Sequence, residues 1–179
     1  YYACKTGTFR IYRANELAVG DWVAIKYGME CWGDDKIDYI DNTKSNSRAN
    51  SIGDVPYITE DIAYLFGLYI AEGSIYERAR SGRPGSGSAH SLSIACGDDV
   101  SPLFKRLGLH WSLDKTDIHY TISSKSTIDL FHHVGFDVNR LAKQKIIPPR
   151  LMRMSKKCTI AMLQGMYDGD GCADCHSHY

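Results

Sequence analysis

Two segments of the chain follow the same plan, and this internal repeat restricts the possible folds more than any other feature. Residues 64–73 (YLFGLYIAEG) and 162–171 (MLQGMYDGDG) lie 98 positions apart, and each ends in an acid followed by glycine. Each also carries two small residues four positions apart, a spacing that places them on one face of a helix. These small residues are Gly67 and Ala71 in the first segment and Gly165 and Gly169 in the second.

The small residues predict a close contact between two helices. Glycine within a helix costs about 1 kcal/mol relative to alanine, so Gly67 and Gly165 require a structural reason. A face of small residues lets another backbone approach closely, and the most economical partner for each helix is the other one. The alternative is two unrelated core helices with glycine C-caps, which is a common arrangement.

The acids that end the two helices suggest a metal site. Glu72 and Asp170 lie at the C-terminal ends, where the helix dipole disfavours anions. If the helices pack side by side, the two carboxylates also come together and need a cation. Hard divalent ions such as Mg²⁺ prefer oxygen ligands of this kind. We therefore predict that Glu72 and Asp170 share a Mg²⁺ ion.

The periodicity of the chain from residue 58 onward predicts an α+β fold. From the first repeated helix onward, the order of elements is αββαββα, followed by a second helix of the opening type. The expected N-caps are Thr59 and Ser126, and Gly135 is the expected end of the third helix. Helices are predicted over residues 60–72, 98–107, 126–134 and 156–170, and strands over 74–80, 89–96, 109–113 and 118–123.

These features resemble the LAGLIDADG (DOD-type) homing endonucleases, whose paired signature helices end in acids and whose repeat has the order αββαββα. The resemblance implies one complete repeat at residues 58–155 and the start of a second at 156–179. It also implies that the helices pack at a pseudo-twofold axis and that Glu72 and Asp170 bind the catalytic metals. The first segment departs from the family pattern, because Glu72 replaces aspartate and Ile70 stands where a second acid often occurs.

Residues 145–148 (KIIP) resemble the Lys-x-Ile-Pro element that precedes the second signature helix in many intein members of that family. The lysine of that element reaches the active site, so the resemblance implies a catalytic role for Lys145, with Lys143 as the alternate. Such a lysine would stabilise developing negative charge or position the attacking water. A lysine in a basic stretch is otherwise an ordinary surface residue.

The N-terminal part resembles the protein-splicing (Hint) domain of an intein. Residues 13–25 (RANELAVGDWVAI) are similar to the strand-turn-strand that comes just before an endonuclease insertion, and a generic β-hairpin is the alternative. We expect short strands at 8–12 and 21–25, a remnant of the splicing domain at 1–40 and a linker at 41–57. No splicing residue is visible and the chain does not begin with methionine, so we expect it to be part of a longer reading frame.

The distribution of charge favours a nucleic-acid partner, although the net charge is zero, with 21 basic and 21 acidic residues. Residues 28–61 carry a net charge of −5, whereas residues 138–163 contain seven bases and no acid. A basic stretch of this kind suits a surface that follows phosphates, and a solvated face is the alternative. The strands would form half of a saddle over the DNA major groove. The residues expected to contact bases or phosphates are Arg78, Arg80, Arg83, His90 and Lys143.

Together the resemblances imply an intein-embedded homing endonuclease that cuts double-stranded DNA by Mg²⁺-dependent phosphodiester hydrolysis. The alternatives are an intein whose nuclease has decayed and a LAGLIDADG-type regulator that binds DNA without cutting. The retention of both acids favours the enzyme. We expect an intracellular protein with no membrane association, because no export signal is visible and the longest apolar run, about ten residues, cannot span a bilayer. The complete two-repeat protein is expected to be a monomer, whereas residues 1–179 alone should not cut DNA specifically.

Overall fold

The chain forms two compact units, which divide between Cys31 and Trp32. Within them, the computed structural model describes residues 2–5, 8–23, 32–43, 50–79, 88–115, 118–137 and 145–170. Both units contain antiparallel sheet, and every α-helix of the described ranges belongs to the second unit. The predicted α+β class is therefore confirmed at this level.

The first unit is a small antiparallel sheet. Its strands are β1 (Tyr2–Lys5), β2 (Thr8–Ile11) and β3 (Trp22–Val23), in the order β2-β1-β3. The chain crosses from β2 to β3 through a single 3₁₀ turn at Ala14–Glu16. Both predicted strands of this region are present with shorter bounds, and residues 24–25 of the second lie outside the described residues.

A two-stranded antiparallel ribbon opens the second unit and corrects the predicted boundaries. It consists of β4 (Lys36–Tyr39) and β5 (Val55–Tyr57). The predicted division at residue 40 placed β4 with the N-terminal part, and the predicted linker 41–57 contained β5. Burial accounts for the difference, since both strands send side chains that are at most 5% exposed into the main core: Ile37, Tyr39 and Val55.

The two repeated helices form with the predicted bounds. The first, α1 (Glu60–Glu72), begins after Thr59, whose hydroxyl oxygen accepts a hydrogen bond from the Ile62 N–H at 3.3 Å. It ends at Gly73, whose N–H donates to the Tyr69 carbonyl. The second repeated helix spans Lys156–Asp170.

A four-stranded antiparallel sheet follows α1. Its strands are β6 (Gly73–Ala79), β7 (Ser88–Ala95), β8 (Ser112–Leu113) and β9 (His119–Ile122), in the order β6-β7-β9-β8. The first predicted hairpin is confirmed, whereas β8 is much shorter than the predicted strand 109–113. Leu109 is buried instead as part of the turn after the preceding helix, where its N–H donates to the Phe104 carbonyl at 2.9 Å.

Three further helices complete the unit: α2 (Ser101–Arg106), α3 (Lys125–Val134) and α4 (Lys156–Asp170). Helix α3 shows an error in the predicted cap. Ser124, not Ser126, is its N-cap and accepts a hydrogen bond from the Thr127 N–H at 3.1 Å. Ser126 lies buried inside the helix, where its hydroxyl oxygen accepts from the Ile52 N–H at 2.9 Å.

Helix α1 lies at the centre of the second unit, because one of its faces packs on the sheet and α3 while another packs on α4. Phe66 and Tyr69 meet Phe131 of α3 with ring centroids 5.0 and 4.9 Å apart, in edge-to-face geometry. Leu65 and Leu68 are fully buried beside them. No helix in the described part of the chain has the length and hydropathy required to cross a membrane.

Candidate metal and nucleic-acid site

Helices α1 and α4 contact each other backbone to backbone at two glycines. A Cβ atom on Gly67 would lie 2.8 Å from the Met166 nitrogen and 3.0 Å from the Gly165 carbonyl carbon. In the same way, a Cβ atom on Gly165 would lie 3.1 Å from the Leu68 nitrogen. Real Cβ atoms almost never come so close to another backbone, so the helix contact depends on the absence of side chains here. The structure thus brings together the two glycines singled out in the sequence.

The contact continues toward the C-terminal ends of the helices through the second pair of small residues. A Cβ atom on Gly169 would lie 2.6 Å from the Ala71 methyl carbon and 3.7 Å from Cγ of Glu72. The small residues four positions apart therefore lie on the shared face of each helix. One position further along each helix are the two acids, Glu72 and Asp170.

The carboxyl groups of Glu72 and Asp170 lie close enough to interact directly. This interaction raises the pKa of Glu72 above its ordinary value of 4.5. Partial desolvation and the negative charge of Asp170 act in the same direction, whereas Lys145 acts against them. Two carboxyl groups held this close at negative helix ends form a site that gains a cation or a proton.

The ammonium group of Lys145 lies at the same end of α1. Its Nζ donates to the backbone carbonyls of Tyr69 at 2.8 Å, Ile70 at 3.3 Å and Gly73 at 2.6 Å. It also lies 4.9 Å from the centroid of the Tyr69 ring. Burial lowers the pKa of Lys145 below 10.5, while the charges of Glu72 and Asp170 oppose that shift.

The three carbonyl contacts occupy the hydrogen-bond donors of Lys145 in this conformation. An ammonium group has three N–H donors, and three carbonyl oxygens at the end of α1 accept from them. Helix C-termini leave such carbonyls without partners inside the helix. Lys145 therefore caps α1 and brings a positive charge to the two carboxyl groups, which it influences electrostatically.

The donor set fits a hard divalent cation through two carboxylates. Among the described residues, no group of three or more His, Cys, Asp or Glu side chains is arranged to hold a metal ion. Glu72 and Asp170 would therefore supply two oxygen ligands, and water or phosphate would complete the coordination. This suits Mg²⁺, which usually keeps several waters and binds proteins through one or two carboxylates.

A side-chain hydrogen bond between the helices lies close to this pair and was not predicted from the sequence. The hydroxyl of Tyr64 on α1 donates to Oδ2 of Asp168 on α4 at 2.8 Å. Burial and this hydrogen bond both raise the pKa of Tyr64, so the phenol is a donor at neutral pH. Asp168 is visible in the sequence as a second acid of the repeat. Its partner, Tyr64, could not be identified from the sequence, because the pairing depends on how the two helices cross.

The four-stranded sheet has one covered face and one open face. Leu92 and Ile94 of β7 are fully buried on the face that α3 covers. Alternate residues of the same strands form the other face and are exposed or half-buried: Ser74, Tyr76, Ser91, Ser93 and Thr121. Register places Ser74 opposite Ser93 and Tyr76 opposite Ser91. The open face is thus polar and built mainly from small side chains.

His90, a predicted DNA contact, lies on the covered face of the sheet rather than the open one. It pairs in register with Glu77, and its Nδ1 lies 3.1 Å from Oε1 of that residue. The second oxygen, Oε2, lies 3.4 Å from Nε2 of His132 on α3. Glu77 therefore joins α3 to the sheet, and His90 is its neighbour within the sheet. The sequence prediction did not consider that a strand alternates its side chains between two faces.

The other predicted DNA contacts cannot be placed in the same way. Arg78 lies in β6 opposite Ala89 of β7, and only its backbone belongs to the described part. Arg80, Arg83 and Lys143 lie outside the described residues. Compared with models of known protein families and with curated proteins, the chain matches none. The interpretation of the site therefore rests on its own residues.

Proposed function

We propose that the chain carries the metal site of a homing endonuclease embedded in an intein, which hydrolyses phosphodiester bonds of double-stranded DNA. The observation that supports this most is the close contact of two glycine-faced helices that end in neighbouring acids, which interact with each other. An unneutralised carboxylate pair at the ends of two packed helices is unfavourable. A divalent cation bound between the two carboxylates would offset their repulsion and give the pair a function.

The residues of the site divide the chemistry between them. Glu72 and Asp170 would hold Mg²⁺ between the ends of α1 and α4. The bound cation supplies Lewis-acid stabilisation of the phosphate oxygens and a nucleophilic water at neutral pH. Lys145 adds fixed positive charge next to the carboxylates, held in place by its three carbonyl contacts. It orients the end of α1 and lowers the cost of bringing two acids together.

The open face of the four-stranded sheet is the proposed DNA surface. It begins directly after Glu72, because β6 continues from α1 at Gly73. DNA that lies across this face would therefore reach the two acids. Exposed hydroxyls such as those of Ser74 and Tyr76 are donors for phosphate oxygens. His90 is not part of this surface.

Two measurements on the chain test the proposal. Calorimetry should detect Mg²⁺ binding that Glu72→Gln and Asp170→Asn each abolish. The control is Asp34→Asn, because Asp34 belongs to the other acidic surface of the unit, where it lines a cavity with Glu60 and Asp61. Duplex DNA should bind more weakly as salt rises from 50 to 200 mM. Mg²⁺ binding that survives both site variants would overturn the proposed metal site.

Cleavage is tested in the intein-bearing protein. Asp170→Asn should abolish Mg²⁺-dependent double-strand cleavage while DNA binding stays largely intact, because the amide keeps the shape of the side chain and loses the charge. Asp34→Asn is again the matched control. A protein that binds Mg²⁺ at Glu72 and Asp170 but cuts no DNA would instead support a non-cleaving DNA-binding regulator.

A further inference from the structure

At the positions where the two glycines meet, the contact between α1 and α4 has no side chains that could fix the register of the two helices. At most helix contacts, side chains of one helix insert between those of the other. Here Gly67 and Gly165 contribute no side chain, and Ala71 contributes a methyl group. Such a contact brings the backbones close together, and at these positions no side chain opposes sliding along the helix axes.

Sliding would be costly for a shared metal ion. One residue of an α-helix corresponds to a rise of about 1.5 Å. Mg²⁺ binds its oxygen ligands at about 2.0–2.1 Å and tolerates little departure from octahedral geometry. A slip of α4 along α1 by one residue would therefore separate Glu72 from Asp170 by more than a bound Mg²⁺ ion accepts. Some group must fix the register.

The Tyr64–Asp168 hydrogen bond is placed to do so. It joins the two helices directly, with 2.8 Å between the hydroxyl oxygen and Oδ2 of Asp168. A slip of about 1.5 Å would lengthen this hydrogen bond or distort its angle, and would weaken it in either case. Asp168 lies only two residues before Asp170 on the same helix. A hydrogen bond that fixes the position of Asp168 along α1 therefore also fixes the position of the Asp170 backbone.

The Tyr64–Asp168 hydrogen bond has no equivalent at the repeat-related positions. At the offset of 98 residues, the counterpart of Tyr64 is Met162 and the counterpart of Asp168 is Ile70. Both counterparts belong to the apolar packing of the core. The repeat therefore has a polar connection on one side of the helix pair and an apolar contact on the other. The polar side adds a constraint on the register, since a hydrogen bond depends on both distance and angle.

We infer that Tyr64 is a positioning residue, whose hydrogen bond to Asp168 sets the register of α1 and α4 and thereby the spacing of the Glu72 and Asp170 carboxylates. This inference rests on the proposed metal site. Asp168 acts here as an acceptor and not as a ligand. Residues two apart on a helix point in nearly opposite directions, so Asp168 and Asp170 do not reach the same ion.

The test compares Mg²⁺ affinity in variants that separate the hydrogen bond from the charge. Tyr64→Phe removes the bond and keeps the charge of Asp168, and it should raise the Mg²⁺ dissociation constant about tenfold, as losses of supporting groups around a metal site do. Asp168→Asn removes the charge and keeps an acceptor oxygen, and it should stay within about twofold of the parent. Tyr167→Phe removes a hydroxyl from the exposed side of α4 and is the matched control.

Each outcome decides the question. Unchanged affinity in Tyr64→Phe, with circular dichroism showing a folded protein, would overturn the inference and leave the metal site intact. A large loss in Asp168→Asn without a loss in Tyr64→Phe would also overturn it, because charge and not register would then control affinity. If Mg²⁺ binding by the parent chain is insensitive to Asp170→Asn, the proposed site itself fails and the inference fails with it.

Discussion

Gly67 of α1 faces Gly165 of α4 so closely that a Cβ atom on Gly67 would lie 3.0 Å from the Gly165 carbonyl carbon. This relationship explains why two helices of a marginally stable fold each carry an internal glycine, despite the cost in helix propensity. It also places the ends of both helices side by side. The neighbouring positions of Glu72 and Asp170 are a consequence of the glycine contact.

The first prediction concerns this contact. Gly67→Ala should lower the free energy of unfolding by about 1–3 kcal/mol, because the new methyl group would overlap backbone atoms of α4 that cannot move aside cheaply. Gly97→Ala is the control, since a Cβ atom there meets nothing within 4 Å. Urea denaturation of both variants checks the prediction. A Gly67→Ala chain as stable as the parent would show that the helices do not touch at this point.

A second prediction follows from the raised pKa of Glu72, which the interaction with Asp170 causes. The folded state holds the proton more tightly than the unfolded state does. This contribution to stability is fully present below about pH 4.5 and is lost as pH rises through the folded pKa. Without metal, the free energy of unfolding should fall over that range in the parent relative to Glu72→Gln.

Denaturation in the presence of a chelator, repeated at several pH values between 4 and 7, measures this difference. Addition of Mg²⁺ at pH 7 should then stabilise the parent and leave Glu72→Gln unchanged, because only the parent can bind the ion. A difference between parent and variant that does not depend on pH would count against the carboxyl pair.

The third prediction has the opposite pH dependence and concerns Asp41, which is buried and carries a charge. Burial alone would raise its pKa, but hydrogen bonds from Ser51 and Thr43 outweigh burial and hold the pKa below 3.8. Its stabilisation is therefore present above about pH 3.8 and is lost as pH falls through the folded pKa. Asp41→Ala should cost about 1–3 kcal/mol at pH 7, because buried donors lose their acceptor.

The cost of Asp41→Ala should shrink as pH falls below 3.8, and thermal denaturation over that range measures it. Asp38→Asn is the control, because Asp38 is 64% exposed, pairs with the exposed Lys36 and has a φ of +51°, a conformation that asparagine tolerates better than alanine. Equal losses in both variants would show that the buried carboxylate has no special role.

A fourth prediction separates the two faces of the four-stranded sheet. His90→Ala should destabilise the chain by about 0.5–1.5 kcal/mol, because it removes one of the two histidine partners of Glu77, and it should leave duplex DNA affinity unchanged. Tyr76→Ala, on the open face, should do the reverse and weaken DNA binding while stability changes little. Fluorescence anisotropy with a labelled duplex compares them. Weaker DNA binding by His90→Ala alone would place the DNA on the covered face.

Local patterns predicted most of the fold. The bounds of α1 and α4 followed from capping residues and apolar periodicity, and the hairpin of β6 and β7 followed from alternation. The predictions failed where tertiary contacts decide. Ser126 and Ser124 are equally good caps by sequence, and only the buried hydrogen bond to Ile52 explains why the helix begins at Lys125.

The same limit applies to the site. Glu72, Asp170 and Lys145 were predicted from the repeat and a resemblance, and the structure brings them together. The three backbone carbonyls that accept from Lys145 could not be predicted, because they depend on how the segment before α4 meets the end of α1. Tyr64 was missed for a related reason, since its partner lies 104 residues away.

The central claim is that Glu72 and Asp170 hold a divalent cation between the ends of α1 and α4, and paramagnetic Mn²⁺ tests it most directly. Substoichiometric Mn²⁺ added to the isotope-labelled chain should broaden the amide NMR signals of residues 70–74 and 168–170 first, and Asp170→Asn should abolish that broadening. Broadening confined to the acidic surface around Asp34 and Asp61, or signals near Glu72 that stay sharp at equimolar Mn²⁺, would contradict the claim.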